Sequence, residues 1–308
     1  MENIELSPII LFVYNRLNHT KQTIKALQKN KLAKESELFI YSDAAKDEEI
    51  KQSVDEVRKY IQTVDGFKKV TIIEREKNLG LADSIIDGVT TIINEYGKII
   101  VLEDDLVTSP YFLKFMNDAL EFYKDEKKVW HISGWNYPIY SNMSCQVFLW
   151  KKMNCWGWAT WEDRWQSFEK SPEKLTKEFD KEMILEFNLN GKENNWNQVL
   201  NNINGKINTW AVFWHTTIFK NNGLCVNPEI SFVSNIGHDG SGIHCGNSCK
   251  KDITIFNKCS KIKFVSDIVN NIEINLRIEK YLEQERKPFY QRVVNKIFRF
   301  LFKKNLYE

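Results

Sequence analysis

Val101-Leu102-Glu103-Asp104-Asp105-Leu106 decides how this chain reads. The apolar run Ile99-Ile100-Val101-Leu102 ends there in three consecutive carboxylates. Four apolar residues in a row suit a strand buried on both faces, as in the interior of a parallel sheet. Adjacent carboxylates repel one another, so a cation is expected beside them. A divalent ion shared with phosphate groups meets that need, because hard oxygen ligands suit Mg²⁺ or Mn²⁺. A second reading stays open. Asp104 and Asp105 shortly precede a helix start at Ser109-Pro110, where negative charge is favoured anyway.

The sequence on the N-terminal side of this stretch alternates strand and helix patterns. Pro8 to Tyr14, Leu38 to Tyr41 and Val70 to Ile73 read as strands, and Val129 to Ile132 as a further one after the acidic stretch. Helical spacing runs from His19 to Lys29 and from Asp47 to Gln62. It recurs from Leu81 to Ile93 and from Tyr111 to Tyr123. Strands separated by helices predict an α/β fold with a doubly wound, mostly parallel sheet and flanking helices. Ligands of such sheets sit beyond the carboxyl ends of the strands. That rule selects Asn15 and Arg16, Ser42 and Asp43, Asn78 and Gly80, and Glu103 to Asp105, all expected along one rim.

The second half is less regular. Phe148 to Trp165 is aromatic-rich, and Glu178 to Asn202 reads as helical with an interruption near Asn190-Gly191. Asn235 to Asn247 is glycine-rich. One domain is expected over 1–265, followed by a helical, basic, amphipathic tail over 266–308. Between Arg286 and Lys304 lie seven basic residues and no acidic one. Phe289, Val293, Ile297, Phe300 and Leu301 share one helical face there, the pattern of a helix lying on a membrane surface or docked on the domain.

Composition narrows the classes. Of 308 residues 43% are hydrophobic, and the net charge is +2, so no nucleic-acid partner is expected. The ten Trp and nineteen Phe can serve sugar faces or simply the core. No apolar run reaches the length of a membrane span. The opening residues lack a signal-peptide pattern, so a cytoplasmic location with reduced thiols is expected for the six Cys. Richness in Lys, Asn and Ile suggests an AT-rich bacterial genome. Neither G-x-G-x-x-G nor G-x-x-x-x-G-K is present, which disfavours dehydrogenases and P-loop kinases.

Several short motifs occur in a definite order. They are Tyr14-Asn15-Arg16, Tyr41-Ser42-Asp43, Val101 to Leu106 and Ile132-Ser133-Gly134-Trp135-Asn136. Cys155-Trp156-Gly157-Trp158, Asn227-Pro228-Glu229-Ile230-Ser231 and Gly242-Ile243-His244-Cys245-Gly246 follow. In that order the chain resembles GT-A fold glycosyltransferases from Pro8 to about Gly246. Within them it is most similar to the α-1,3-mannosyl-glycoprotein β-1,2-N-acetylglucosaminyltransferase I family, whose pattern bacterial capsule and lipopolysaccharide sugar transferases share.

The resemblance implies metal-assisted, inverting transfer from a nucleotide-diphosphate sugar, such as UDP-GlcNAc, to a glycan or lipid-linked acceptor. A peripheral enzyme on the inner face of the cell membrane, making surface polysaccharide, fits that picture. By the same resemblance Arg16 meets the diphosphate and Asp43 the nucleobase, with Asn78 on the same rim. Glu103 and Asp104 contact ribose and donor sugar, and Asp105 ligates Mn²⁺ or Mg²⁺. Gly157 and Trp158 line the donor-sugar pocket, while Ser241 and His244 belong to a loop over the phosphates, His244 also reaching the metal. A zinc site from His238, His244, Cys245 and Cys249 is a rival reading, disfavoured because no C-x-x-C pair is present.

The expected base is missing. The family places an Asp just after a Trp, and the corresponding Thr209-Trp210-Ala211-Val212-Phe213-Trp214 has no carboxylate. Glu193 and Asp163 are the candidates for taking the acceptor proton. Two alternatives stay open: an inactive carbohydrate-binding or scaffold protein on this fold, and a sugar-phosphate nucleotidyltransferase. The latter needs a glycine-rich first loop, which Tyr14 to Asn18 lacks.

Overall fold

The computed structural model describes residues 5–139, 146–240 and 262–285. The first strand, β1 (Ile9–Val13), is buried along its whole length. It leads through Arg16 into α1 (Leu17–Gln28), and β2 (Glu37–Ser42), α2 (Glu48–Ile61) and β3 (Lys69–Glu74) follow. Next come α3 (Leu81–Tyr96), β4 (Lys98–Glu103), the short β5 (Leu106–Thr108), α4 (Phe112–Phe122) and β6 (Val129–Ser133). The expected strands and helices of this half are therefore present, with ends displaced by a residue or a few.

The aromatic stretch forms two strands, β7 (Val147–Trp150) and β8 (Trp158–Trp161). Five short helices follow: α5 (Glu162–Trp165), α6 (Pro172–Glu178), α7 (Lys181–Phe187), α8 (Trp196–Ile203) and α9 (Ala211–Lys220). The interruption expected near Asn190 separates α7 from α8. Leu189 and Asn190 adopt φ of 49° and 53° there, a left-handed conformation that cannot continue a helix. The strands β9 (Leu224–Pro228) and β10 (Val233–Asn235) precede a last described helix, α10 (Ile272–Glu285).

The main sheet has the order β3-β2-β1-β4-β8-β6-β9-β7. β3, β2, β1 and β4 run parallel, β8 is antiparallel to both β4 and β6, β9 is parallel to β6, and β7 is antiparallel to β9. Six strands thus share one direction and two oppose it, so the sheet is mostly parallel as expected. One face is covered by α1, α2 and α4, through Ile24, Leu27, Val57, Ile61, Phe115 and Met116. The other carries α3, α9 and α10, through Val89, Ile93, Trp214 and Ile278. Each such large apolar side chain taken out of water contributes about 1.5–3 kcal/mol.

Candidate functional site

All parallel strands of one sense end on the same rim, and that rim gathers the selected polar residues. Arg16, just after β1, reaches the end of β4. Its Nη2 donates to Asp105 Oδ2 at 2.8 Å and also to Asp104 Oδ1, and its Nε lies 3.4 Å from Asp104 Oδ2. The two carboxylates are nearly buried, with side-chain exposures of 6% and 10%. The cation expected beside the acidic triplet is therefore, in this chain, first of all Arg16. Burial works against the guanidinium charge, but Asp104 and then Asp105 outweigh it and raise its pKa. Arg16 Nη1 is buried and has no hydrogen-bond partner among the described residues.

The triplet divides its labour. Asp104 also accepts Thr23 Oγ1 at its backbone oxygen, 2.8 Å away, which ties the strand end to α1. Burial pushes the Asp104 carboxyl up to about 6, against the pull of Arg16. Glu103 has no such pairing among the described residues. Burial first, then Asp105 and Asp104, push its carboxyl up to about 8, with Arg16 only partly offsetting them.

A two-stranded clip closes over this point. β10 pairs antiparallel with β5, placing Asn235 opposite Leu106. Ile236 N then donates to Asp105 O at 2.9 Å, and Gly237 N to Asn235 Oδ1 at 2.7 Å. Nothing in the sequence pattern marked these three-residue strands. The following turn carries His238, whose ring meets Trp156 edge-on at 5.5 Å, and Asp239, paired with His19 Nε2 at 3.1 Å. Ser241 and His244 lie outside the described residues, as do Cys245 and Cys249 of the zinc reading.

Asp43 and Asn78 meet at the other end of the rim. Asp43 Oδ2 accepts Gly80 N at 2.8 Å and Asn78 Nδ2 at 3.1 Å, and its Oδ1 accepts Leu79 N at 3.0 Å and Ala44 N at 2.9 Å. Asn78 Nδ2 also donates to Ala44 O at 2.6 Å and approaches Tyr14 Oη at 3.4 Å. Asp43 thus holds the loop that leads into α3, where the helix dipole also favours a negative charge.

Two expectations are corrected by strand sense and packing. Because β8 runs against β4, Lys98 faces Trp161, and the chain leaves β8 at the opposite edge of the sheet from Glu103. Asp163 follows there, roughly 17 Å away by the rise of β4, and it is paired with Arg164 at 2.6 Å and Lys127 at 2.7 Å. It does not belong to the rim. Trp158 is 1% exposed, stacked on Trp210 at 5.2 Å and on His131 at 5.5 Å, and offers no face to a ligand. Its neighbour Trp156 is the half-buried ring near the site, packed on Trp135 at 4.7 Å. Gly157 has φ of +65°, and a Cβ there would meet Val233 at 2.9 Å, so its missing side chain serves packing.

Glu193 is bound to Lys152, and accepts Tyr137 Oη at 2.9 Å and Asn195 Nδ2 at 2.6 Å. Burial favours its neutral form, but Lys152 and then the two hydrogen bonds hold it below the usual carboxylate range. Such a tied carboxylate is a weak proton acceptor. The stretch 209–214 is core: Trp210, Val212, Phe213 and Trp214 are all buried. Glu229 directly follows β9, which runs parallel to β6 and so in the sense of β4, and it lies on the rim of the acidic triplet.

Residues 9–131 match the family described as glycosyl transferase family 2. The fold is that of a GT-A glycosyltransferase. The match covers less than half of the chain and includes Arg16, Asp43, Asn78 and the acidic triplet. Two solved structures are similar to parts of this glycosyltransferase fold. The mannosyltransferase PcManGT from Pyrobaculum calidifontis, in complex with GDP-Man and Mn2+, is 11% identical over 51% of this chain and 45% of its own, with a TM-score of 0.36. TarS from S. aureus is 19% identical over 41% of this chain and 21% of its own, with a TM-score of 0.30. The chain spans less than half the length of either. No curated protein sequence matches it.

Among the described residues no three His, Cys, Asp or Glu side chains converge as a metal cage. Asp105 and Asp104 nevertheless offer hard oxygen donors at the end of β4. That set fits Mg²⁺ or Mn²⁺, which commonly take one or two carboxylates and complete their shell with substrate phosphates and water.

Proposed function

We propose that this chain transfers a sugar from a nucleotide-diphosphate sugar to a glycan or lipid-linked acceptor. The observation that carries this reading is Arg16: a permanently charged fork between Asp104 and Asp105, with one buried Nη1 left without a partner. A diphosphate oxygen accepting from that nitrogen completes it. Asp105, with His244, would hold Mn²⁺ or Mg²⁺, which when bound supplies positive charge to the departing diphosphate. Glu103 and Asp104 face ribose and donor sugar. Asn78 and Asp43 shape the base end, Asp43 through the loop it holds, and Ser241 belongs to the phosphate side. Trp156 takes the place expected of Trp158 beside the sugar.

The donor proposed is a UDP-sugar such as UDP-GlcNAc, making this a hexosyl- or N-acetylhexosaminyltransferase acting with inversion. Glu229 and Asp239, on loops of the rim, are the carboxylates proposed to take the acceptor proton. The proposed division falls at residue 265: a transferase body, then a C-terminal part whose α10 docks on it and whose basic end, outside the described residues, meets the inner face of the bacterial membrane. Among the described residues no helix is long and apolar enough to cross a membrane. A deletion of 286–308 that left membrane fractionation unchanged would remove that element. Surface polysaccharide synthesis is the setting in which such acceptors occur.

One observation favours a second reading, a carbohydrate-binding protein without transfer. The stretch where the resembled family has its base is buried core. Calorimetric titration with UDP, GDP and CDP, each with and without Mn²⁺, separates the two. Metal-dependent binding of one nucleotide, lost in Asp105→Ala, supports transfer. Folded protein that binds none of them overturns it.

A further inference from the structure

A cleft of about 280 Å³ opens between the end of β7, α7, α9 and α10, away from the acidic triplet. Two residues of its lining carry a buried polar atom with no hydrogen-bond partner among the described residues: the donor Trp150 Nε1 and the acceptor Asn275 Oδ1. Trp150 is only 2% exposed, so its N–H has no bulk water to fall back on. The amide nitrogen of Asn275 is already used, donating to Asn270 Oδ1 at 3.0 Å. An unpaired buried donor and an unpaired buried acceptor each cost free energy unless a ligand or trapped water satisfies them.

The charge balance narrows the ligand. Lys151 is bound to Glu186 and Lys152 to Glu193, so both cations of the lining are neutralised. No excess positive charge is left for a phosphate or carboxylate. A wholly apolar ligand would leave both orphan atoms unpaired. The remaining walls include Phe187 and Phe219. A neutral group that donates and accepts at once, on a body with an apolar face, meets every demand, and a hexose is such a group. The volume is just below the usual range for a ligand site, enough for a single sugar ring and not for an oligosaccharide.

We propose that this cleft binds one neutral sugar residue, with Trp150 Nε1 donating to a hydroxyl and Asn275 Oδ1 accepting from one. Its use rests on the transferase reading: the residue held is a non-reacting unit of the acceptor glycan, whose binding energy positions the reacting end. A run of packed rings joins the two places. Trp150 lies 6.1 Å from Tyr137, Tyr137 4.8 Å from Trp135, Trp135 4.7 Å from Trp156, and Trp156 5.5 Å from His238.

The test uses the full chain with ¹⁵N-labelled indoles, titrated with the methyl β-glycosides of glucose, galactose, mannose and N-acetylglucosamine. The Trp150 signal is assigned by its absence in Trp150→Phe. Expected is a saturable shift of that signal with at least one sugar, at about millimolar Kd for so small a ligand. Asn275→Ala, its other indole signals unmoved, should bind about three- to tenfold more weakly, as for one lost neutral hydrogen bond. No shift with any of the four, or a shift indifferent to Asn275→Ala, overturns the proposal and leaves a hydrated cleft. The nucleotide titration above is run on the same samples. Sugar binding without nucleotide binding keeps the cleft and ends its role in transfer. Nucleotide binding without sugar binding overturns the cleft alone.

Discussion

A Cβ added to Gly237 would lie 2.3 Å from Asp105 Oδ2 and 3.2 Å from Arg16 Nη1. The backbone after β10 therefore rests directly on the charged pair, and any side chain there must displace it. Gly237→Ala should weaken nucleotide binding in Mn²⁺ by at least about tenfold, equivalent to about 1.4 kcal/mol. Its cost to stability should be about 1–3 kcal/mol, since the displaced carboxylate is nearly buried and paired with Arg16. Calorimetry and urea unfolding of one preparation read both.

Arg16 is the only cation that the described ion pairs bring to Asp104 and Asp105. Arg16→Met leaves two nearly buried carboxylates without it. Stability at pH 7.5 should fall by about 3 kcal/mol, and nucleotide binding should be lost. Arg16→Lys should recover part of the stability but little of the binding, because an ammonium cannot fork between two carboxylates and still reach a phosphate.

His131 accepts the Trp214 indole N–H at Nδ1, 3.1 Å away, and its Nε2 lies 3.0 Å from Asn154 O. Burial holds His131 and also His215 neutral, each lowered to about 3. The unfolded chain takes up those protons near pH 6.5 and the folded chain does not. Their contribution is therefore complete above pH 6.5 and is lost as pH falls below it. Glu103 and Asp104, raised to about 8 and 6, take up protons in the folded chain over the same range and offset that loss, so the histidine contribution is read between variants. From pH 6.5 to pH 5, urea unfolding should show His215→Gln gaining about 1.5 kcal/mol relative to the unaltered chain.

Asp163 sits on the far edge of the sheet, 47% exposed at its side chain and paired with Lys127 and Arg164. Asp163→Asn should leave nucleotide binding and turnover within about twofold and cost under 1 kcal/mol, the range of exposed ion pairs. A large loss of turnover with normal stability would return this residue to the site.

Asp43 accepts the backbone N–H groups of Ala44, Leu79 and Gly80. Asp43→Ala should cost about 2–3 kcal/mol, as for charged hydrogen bonds lost in a partly buried place. Limited proteolysis should then cut at 78–80 sooner than in the unaltered chain. Asp43→Asn, which keeps one acceptor oxygen, should fall between.

The parallel half of the fold was legible because its signals are local. Continuous apolar runs such as Ile9–Val13 and Ile99–Leu102 lie in buried strands, and amphipathic helices separate them. The pairing of β5 with β10 was not legible, since three residues carry too little periodicity to mark a strand. The cleft at Trp150 was equally hidden, because it is assembled from segments far apart in the chain and its floor looks like ordinary core.

By itself the sequence determined a mostly parallel α/β sheet and the rim that gathers Arg16, Asp43, Asn78 and Glu103 to Asp105. Parallel strands must end on one side, so the residues after them share it whatever the details of packing. Only the tertiary structure decided which acidic and aromatic residues reach that rim. Reversal of β8 carries Asp163 to the other edge, stacking on Trp210 and His131 turns Trp158 inward, and Lys152 ties Glu193. Strand sense and side-chain partners are set by contacts between distant segments, and no local pattern of residues encodes them.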